Sequence, residues 1–272
     1  MIDEALAWLA AHGVSAPRSV RRLEAATTAD LLAVDDLVLR WYQGGTFLTE
    51  EPEALAREVA ALAALADTPV PAPRLVAWSA DPPAVLMTRL DGHHRLDVAD
   101  PGAVVAVLDE IRNVERAPLA RWAYRGYHED LELPAPVWWR DRAPWDRAVG
   151  LSSEGPPRYE PVVIHRDFHP GNILWSDVAV SGVVDWGNAC LGPAAFDLAH
   201  LRVNVATLVG QRATDAAYPG DPAWDIEAAL GYVDPWSRDA RDAWTGPWSH
   251  VPTPVARERL EAFVARAVAA LG

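Results

Sequence analysis

The stretch His165-Arg166-Asp167-Phe168-His169-Pro170-Gly171-Asn172, followed by Gly182-Val183-Val184-Asp185-Trp186-Gly187, decides the reading of this chain. Asp167 and Asn172 stand five positions apart. That is the offset of a loop in which an aspartate accepts the proton of a substrate hydroxyl and an asparagine holds a magnesium ion. Phosphoryl transfer needs a base beside the attacking oxygen and a hard oxygen ligand on the metal, and carrying both on one loop fixes their separation. Thirteen positions on, Asp185 closes the apolar run Gly182 to Val184. The run predicts a short buried strand that delivers a second metal-binding carboxylate to the nucleotide phosphates. Asp, Pro and Gly are also ordinary turn formers, so one such aspartate alone carries little. Three groups of the right types, in the right order and at two matching spacings, point to phosphoryl-transfer chemistry.

Together with the downstream Leu191-Gly192-Pro193-Ala194-Ala195-Phe196-Asp197-Leu198-Ala199, these residues resemble the aminoglycoside phosphotransferase and choline kinase-like family. His169-Pro170-Gly171-Asn172 is the most specific piece, and the match is tight from Val162 to His200 and loose from about Val20 to Gly92. The resemblance implies a bilobal protein kinase-like α+β fold. Residues 1–91 would form a small antiparallel-sheet N-lobe that binds nucleotide, and 92–272 a mainly helical C-lobe. It implies Mg2+ with ATP or GTP as phosphoryl donor, Asp167 as the catalytic base, and Asn172 and Asp185 as metal ligands. His165 and His169 become supporting groups of the loop. Asp197 becomes the buried aspartate that ties the loop to a large-lobe helix, although its side chain could equally cap a helix running from Leu198.

In kinase-like folds a basic residue on a small-lobe strand grips the phosphates and a helix glutamate positions it. The resemblance maps these roles to Arg40, which follows Leu37-Val38-Leu39, and to Glu58. The family usually has lysine at the first position. A guanidinium grips phosphate bidentately but is bulkier and forks differently, so the exchange is not conservative. The bland alternative is a surface arginine loosely paired with a helix carboxylate. Glu24 to Ala29 lies where the family's phosphate loop would stand and has no glycine. Close approach to phosphate would then rest on small alanines and the hydroxyls of Thr27 and Thr28, and an ordinary hairpin turn explains the segment as well. Thr88 to Asp91 is the expected hinge, with Met87 and Leu90 as apolar walls for a purine. His93 and His94 read as solvated loop residues.

Periodicity fills in the rest. Ile2 to His12 is helical and Ser19 to Arg40 is a strand meander. Pro52 opens a helix whose stripe is Leu55, Val59, Leu62 and Leu65, running to Asp67, with Glu58 adjoining. Leu75 to Trp78 and Ala84 to Met87 read as strands. Ala103 to Val114, Phe196 to Val209, Ala223 to Leu230 and Val255 to Leu271 read as helices. Pro134 to Pro161 reads as an insertion whose Trp138, Trp139 and Trp145 either line a substrate cleft or pack.

With 272 residues, half of them apolar, the chain suffices for one two-lobed enzyme. The net charge of −14 argues against a nucleic-acid partner, which needs a basic footprint. It suits a small-molecule hydroxyl substrate that is cationic or neutral. All 24 basic residues are arginines. The single cysteine, Cys190, cannot form an intrachain disulfide and reads as a small core residue. No signal segment and no run of about 18 apolar residues is seen, so a cytoplasmic protein without membrane contact is expected. Between Asp215 and Asp242 seven carboxylates outnumber Arg238 and Arg241. They could pair with ammonium groups, and Trp224, Tyr232, Trp236 or Trp244 could face a cation; the alternative is a solvated acidic surface over packed tryptophans. A nucleotide-binding pseudokinase with a regulatory partner remains the other class of function, favoured by Arg40 and the glycine-free loop and opposed by the intact Asp167, Asn172 and Asp185.

Overall fold

The computed structural model describes residues 2–23, 29–42, 47–97, 100–129, 132–232 and 250–272. After helix α1 (Ile2–Ala11) come β1 (Val20–Leu23), β2 (Asp30–Val34) and β3 (Leu37–Trp41), then the one-turn α2 (Phe47–Glu50), α3 (Ala54–Leu65), β4 (Leu75–Ala80) and β5 (Pro83–Thr88). The strands form one antiparallel sheet of order β1-β2-β3-β5-β4. Asp35, at φ 51°, turns the β2-β3 hairpin in the left-handed conformation that Asp tolerates. Its carboxylate accepts the Ser19 N–H at 2.9 Å, which anchors the hairpin to the residue before β1.

Side chains alternate across a strand. Leu32, Val34, Leu39, Trp41, Ala84 and Leu86 share one sheet face, which α1 covers with Ala5, Trp8 and Leu9. Arg40, between Leu39 and Trp41, therefore points to the opposite face, where α3 packs with Leu55, Leu62 and Leu65 beside Val85 and Met87. Glu58 lies within this stripe at 1% exposure, while Val59 sits at its edge. The helix starts two residues later than Pro52 and ends before Asp67; Pro52 belongs to the turn between α2 and α3.

The remaining chain is mostly helical: α4 (Pro101–Arg112), α5 (Arg142–Ser153), α6 (Ala194–Val209), α7 (Gln211–Ala217), α8 (Pro222–Tyr232) and α9 (Thr253–Leu271). Helix α4 begins two residues before the expected Ala103, because Asp100 accepts the Gly102 and Ala103 N–H groups at 2.9 and 3.3 Å. Helix α6 is buried along nearly its whole length and packs against α8 and α9. Trp145 is fully buried, donates Nε1–H to the Leu133 carbonyl at 3.0 Å and lies 4.7 Å from the Trp139 ring. The packing reading thus holds for these two tryptophans, and Pro134 to Pro161 supplies a core helix, α5.

Five short strands mount the loops that matter. They are β6 (His93–His94), β7 (Pro161–Ile164), β8 (Ile173–Ser176), β9 (Ala179–Val183) and β10 (Cys190–Pro193), arranged as β6-β8-β9 and β7-β10. His93 and His94 are exposed as expected, although they pair with β8. The His165–Asn172 loop runs from β7 to β8, and Asp185 follows β9. Gly182 on β9 leaves room for Leu90, whose Cδ1 would clash with any Cβ there. No helix among the described residues is long and apolar enough to cross a membrane.

Candidate active site

The loop from His165 to Asn172 is held from beneath by one carboxylate. Asp197, buried on α6, accepts the backbone N–H of His165 at 2.8 Å and of Arg166 at 2.7 Å. Its oxygens are therefore spent on the loop. The helix starts three residues earlier, at Ala194, so Asp197 does not serve as its N-cap. Arg166 takes φ 68°, a strained conformation that these paired contacts hold in place.

Val184 then locks loop and strand together through both its backbone groups. Its N–H donates to the Asn172 carbonyl at 3.0 Å, and its carbonyl accepts from His165 Nε2 at 2.9 Å. With the Nε2 proton so placed, His165 Nδ1 accepts the Asp167 N–H at 3.3 Å. Asp185 comes next in the chain, at φ 67°. The two segments singled out in the sequence are thus joined by hydrogen bonds on either side of one residue.

Asp167 is flanked by an amide and two imidazoles. Asn172 Nδ2 donates to its carbonyl at 2.9 Å and lies 3.4 Å from Oδ2, whereas Oδ1 faces His200 Nε2 at 3.2 Å and His169 Nε2 at 3.8 Å. Burial works against its ionisation, yet the facing His169 and His200 imidazoles hold its carboxyl below the usual carboxylate range. Burial pushes His169 down to about 4. Asp167 is therefore a carboxylate at neutral pH, able to accept a hydrogen bond from a hydroxyl.

Arg40 crosses from the sheet into this site. Its Nη1 lies 2.8 Å from Asp185 Oδ1, 3.1 Å from Glu58 Oε1 and 3.4 Å from the Tyr42 hydroxyl. Tyr42 donates to Glu58 Oε2 at 2.9 Å. Arg40 and Glu58 are nearly inaccessible, so the loosely paired surface arginine of the bland reading is excluded. Burial opposes the Arg40 charge, but Asp185 and Glu58 hold its pKa above the ordinary arginine value. Burial pushes Glu58 up, against the pull of Arg40.

The donor set suits a hard cation. Asn172 commits its amide nitrogen to Asp167, which leaves its side-chain oxygen, and Asp185 has one oxygen beyond the one held by Arg40. Two oxygen donors plus phosphate oxygens are the usual way magnesium is bound. Met87 is buried in the sheet, and Leu90 lies over Gly182 at the crossing to the C-terminal part. Thr27 and Thr28 lie outside the described residues.

Sequence reading did not single out Tyr42, Tyr127 or His200. Tyr42 stands two residues after Arg40 on the same sheet face, a period-2 signal that was available. Tyr127 donates to the Arg166 carbonyl at 3.3 Å, and its ring lies 4.3 Å under the Arg166 guanidinium. In the acidic region, Asp225 is buried against Arg202 at 2.8 Å, Asp215 reaches the same guanidinium at 3.0 Å, and Trp224 and Tyr232 are packed. These are neither a solvated surface nor an open cation face. Asp234, Trp236, Arg238, Asp239, Arg241, Asp242 and Trp244 lie outside the described residues.

Comparison with known proteins follows the same lines. The family model described as a phosphotransferase enzyme family, APH, matches residues 19–263. The chain belongs to that family. As a member it is a small-molecule kinase. Among solved structures, the GDP complex of wild-type aminoglycoside 2'-phosphotransferase-IIIa superposes with a TM-score of 0.66 at 16% identity, covering 97% of this chain and 98% of that one. Aminoglycoside phosphotransferase APH(4)-Ia gives 0.64 at 14%, covering 98% of each chain. The streptomycin-ATP complex of APH(2")-IIa gives 0.56 at 12%, over 84% of this chain and 86% of that one. These likenesses establish the bilobal kinase-like fold of this family member. No curated protein sequence matches the chain.

Proposed function

We propose that this family member transfers the γ-phosphoryl group of a magnesium-bound nucleoside triphosphate, ATP or GTP, to a hydroxyl of a small molecule. The observation that carries this reading is the double hydrogen bond at Val184, which sets Asp185 beside the loop bearing Asp167 and Asn172. Asp167 accepts the acceptor hydroxyl's proton and aims its oxygen at the γ-phosphorus. The Asn172 side-chain oxygen and the Asp185 carboxylate would hold magnesium, which would supply positive charge to the phosphoryl oxygens. Arg40, braced by Glu58 and Tyr42, stands where it can turn from Asp185 to the phosphates. The lobes meet at Thr88 to Asp91, so that 1–91 carries the nucleotide and 92–272 the acceptor.

For the acceptor we favour a recess of about 470 Å³ lined by Tyr124, His128, Ser152, Tyr159 and Glu227, among others. The chain that lines it also touches the loop, since Arg166 donates to the Arg125 carbonyl at 2.9 Å. Glu227 is buried there with Ser152 at 2.5 Å and His128 Nε2 at 3.5 Å. A carboxylate so placed favours an acceptor with an ammonium group near its hydroxyl. Mass-spectrometric detection of phosphorylated products from pooled aminoglycosides, choline, amino-alcohols and sugars tests the reading. The Asp167→Asn variant is expected to lose about 10² to 10⁴-fold in turnover while keeping its nucleotide affinity. Wild-type turnover in that variant would sink the assignment of the base. Magnesium-nucleotide binding without product from any acceptor would favour the pseudokinase reading.

A further inference from the structure

His200 has no part in the roles assigned above. It stands on α6 three residues after Asp197 and is 6% exposed. Its Nε2 is 3.2 Å from Asp167 Oδ1. The rings of Phe196 and Tyr127, each 5.9 Å away, and of His169, 6.1 Å away, confine it. Its Nδ1 is buried and meets no hydrogen-bond partner among the described residues.

A neutral imidazole has one N–H and one lone pair. A proton on Nδ1 would strand a buried donor and set the Nε2 lone pair against a carboxylate oxygen, two unfavourable contacts at once. A proton on Nε2 leaves only the Nδ1 lone pair without a partner. His169 reaches the same tautomer by a separate route, because its Nδ1 accepts the Gly171 N–H at 3.0 Å and its proton is left on Nε2. Of the two imidazoles that flank Oδ1 of Asp167, the one from α6 is the nearer, at 3.2 Å against 3.8 Å from the loop. The other oxygen, Oδ2, has among the described residues only the Asn172 amide, at 3.4 Å.

We propose that His200 is a positioning residue for Asp167: its Nε2–H donates to Oδ1 and fixes the carboxylate with Oδ2 turned to the acceptor hydroxyl. The inference rests on reading Asp167 as the base. Hydrogen bonds of catalytic groups are often long in unliganded enzymes and tighten when substrates bind, which suits a separation of 3.2 Å. Without the imidazole, the carboxylate turns about its Cβ–Cγ bond and spends less time in the productive orientation.

Nitrogen-15 histidine spectra of the wild type and of Asp167→Asn test the contact whether or not an acceptor is known, with His200→Ala assigning the signals. His200 is expected to carry its proton on Nε2 and to shift both ring signals in Asp167→Asn. A proton on Nδ1, or signals blind to Asp167→Asn, overturns the proposal. In turnover, His200→Ala is expected to lower kcat about 10- to 100-fold with the nucleotide KM within about twofold, the pattern of a lost transition-state contact. His200→Gln, which returns an N–H near the Nε2 position, is expected to recover part of that loss. An unchanged kcat in His200→Ala, or equal losses in folded Ala and Gln variants, overturns the positioning role. A wild type that phosphorylates nothing would sink the functional reading instead, and the spectra would still decide the contact.

Discussion

Arg40 Nη1 lies 2.8 Å from Asp185 Oδ1 and 3.1 Å from Glu58 Oε1, so a single guanidinium nitrogen joins β3, α3 and the end of β9. The three contributing residues lie far apart in the chain and come from both lobes. The same nitrogen that would approach phosphate therefore also braces the unliganded protein. Only Oδ1 of Asp185 is engaged by Arg40, which leaves its other oxygen open.

Removing that side chain leaves the nearly inaccessible Glu58 carboxylate without its cation. Breaking a buried pair on one side costs about 3–5 kcal/mol. Arg40→Ala is expected to lose that order of stability in urea unfolding, whereas Arg40→Lys, which keeps a charge but not the fork, loses less. A stable Arg40→Ala protein would show that Tyr42 alone suffices to hold Glu58.

Asp185→Ala separates the metal role of this residue from its pairing with Arg40. If its second oxygen binds magnesium, nucleotide affinity in the presence of magnesium falls at least about tenfold, about 1.4 kcal/mol. Affinity without magnesium changes little, because Arg40 still has Glu58. Calorimetric titration with and without the ion checks this. Equal losses in both conditions would remove Asp185 from the metal site.

What was legible in the sequence was whatever chemistry had pinned to fixed spacings. Asp167, Asn172 and Asp185 were singled out by their spacing and Asp197 by the resemblance, and the structure brings all four to one loop and its anchor. Arg40 and Glu58 came with the resemblance, and strand alternation explains why they meet. His200 left no such trace, since a histidine in the second turn of a buried helix looks like packing until its distance to Asp167 is known. The fate of Asp225 was illegible for a similar reason: its partner Arg202 lies 23 positions away on another helix. Acidic composition cannot distinguish a carboxylate facing water from one neutralised inside.

Asp197 offers a test of the loop's scaffold that is independent of any substrate. Its two oxygens satisfy two consecutive backbone donors, His165 and Arg166. Asp197→Ala leaves both N–H groups inside the protein without their acceptor, at about 1–3 kcal/mol each. A loss of roughly 3 kcal/mol in chemical unfolding is expected, together with faster amide exchange at His165 and Arg166. Unaltered exchange at those two amides would mean that the loop is held by other contacts.

Cys190 reports on the strand pair that carries the loop. It lies on β10 opposite Ile164 of β7, the residue just before His165, and is 3% exposed. Burial pushes its thiol up to about 12. Since the thiolate is the reactive form, a shift of that size from the ordinary value of about 8.5 lowers the reactive fraction at pH 8 by roughly 10³-fold, before access is considered. A thiol reagent at pH 8 is thus expected to label the native protein far more slowly than the unfolded chain. Because the chain has one cysteine, the whole signal belongs to this position. Labelling then occurs through opening of the β7-β10 pair, and Asp197→Ala, which loosens the loop that leaves β7, accelerates it. Rapid stoichiometric labelling of the folded wild type would show that this pair is open in solution.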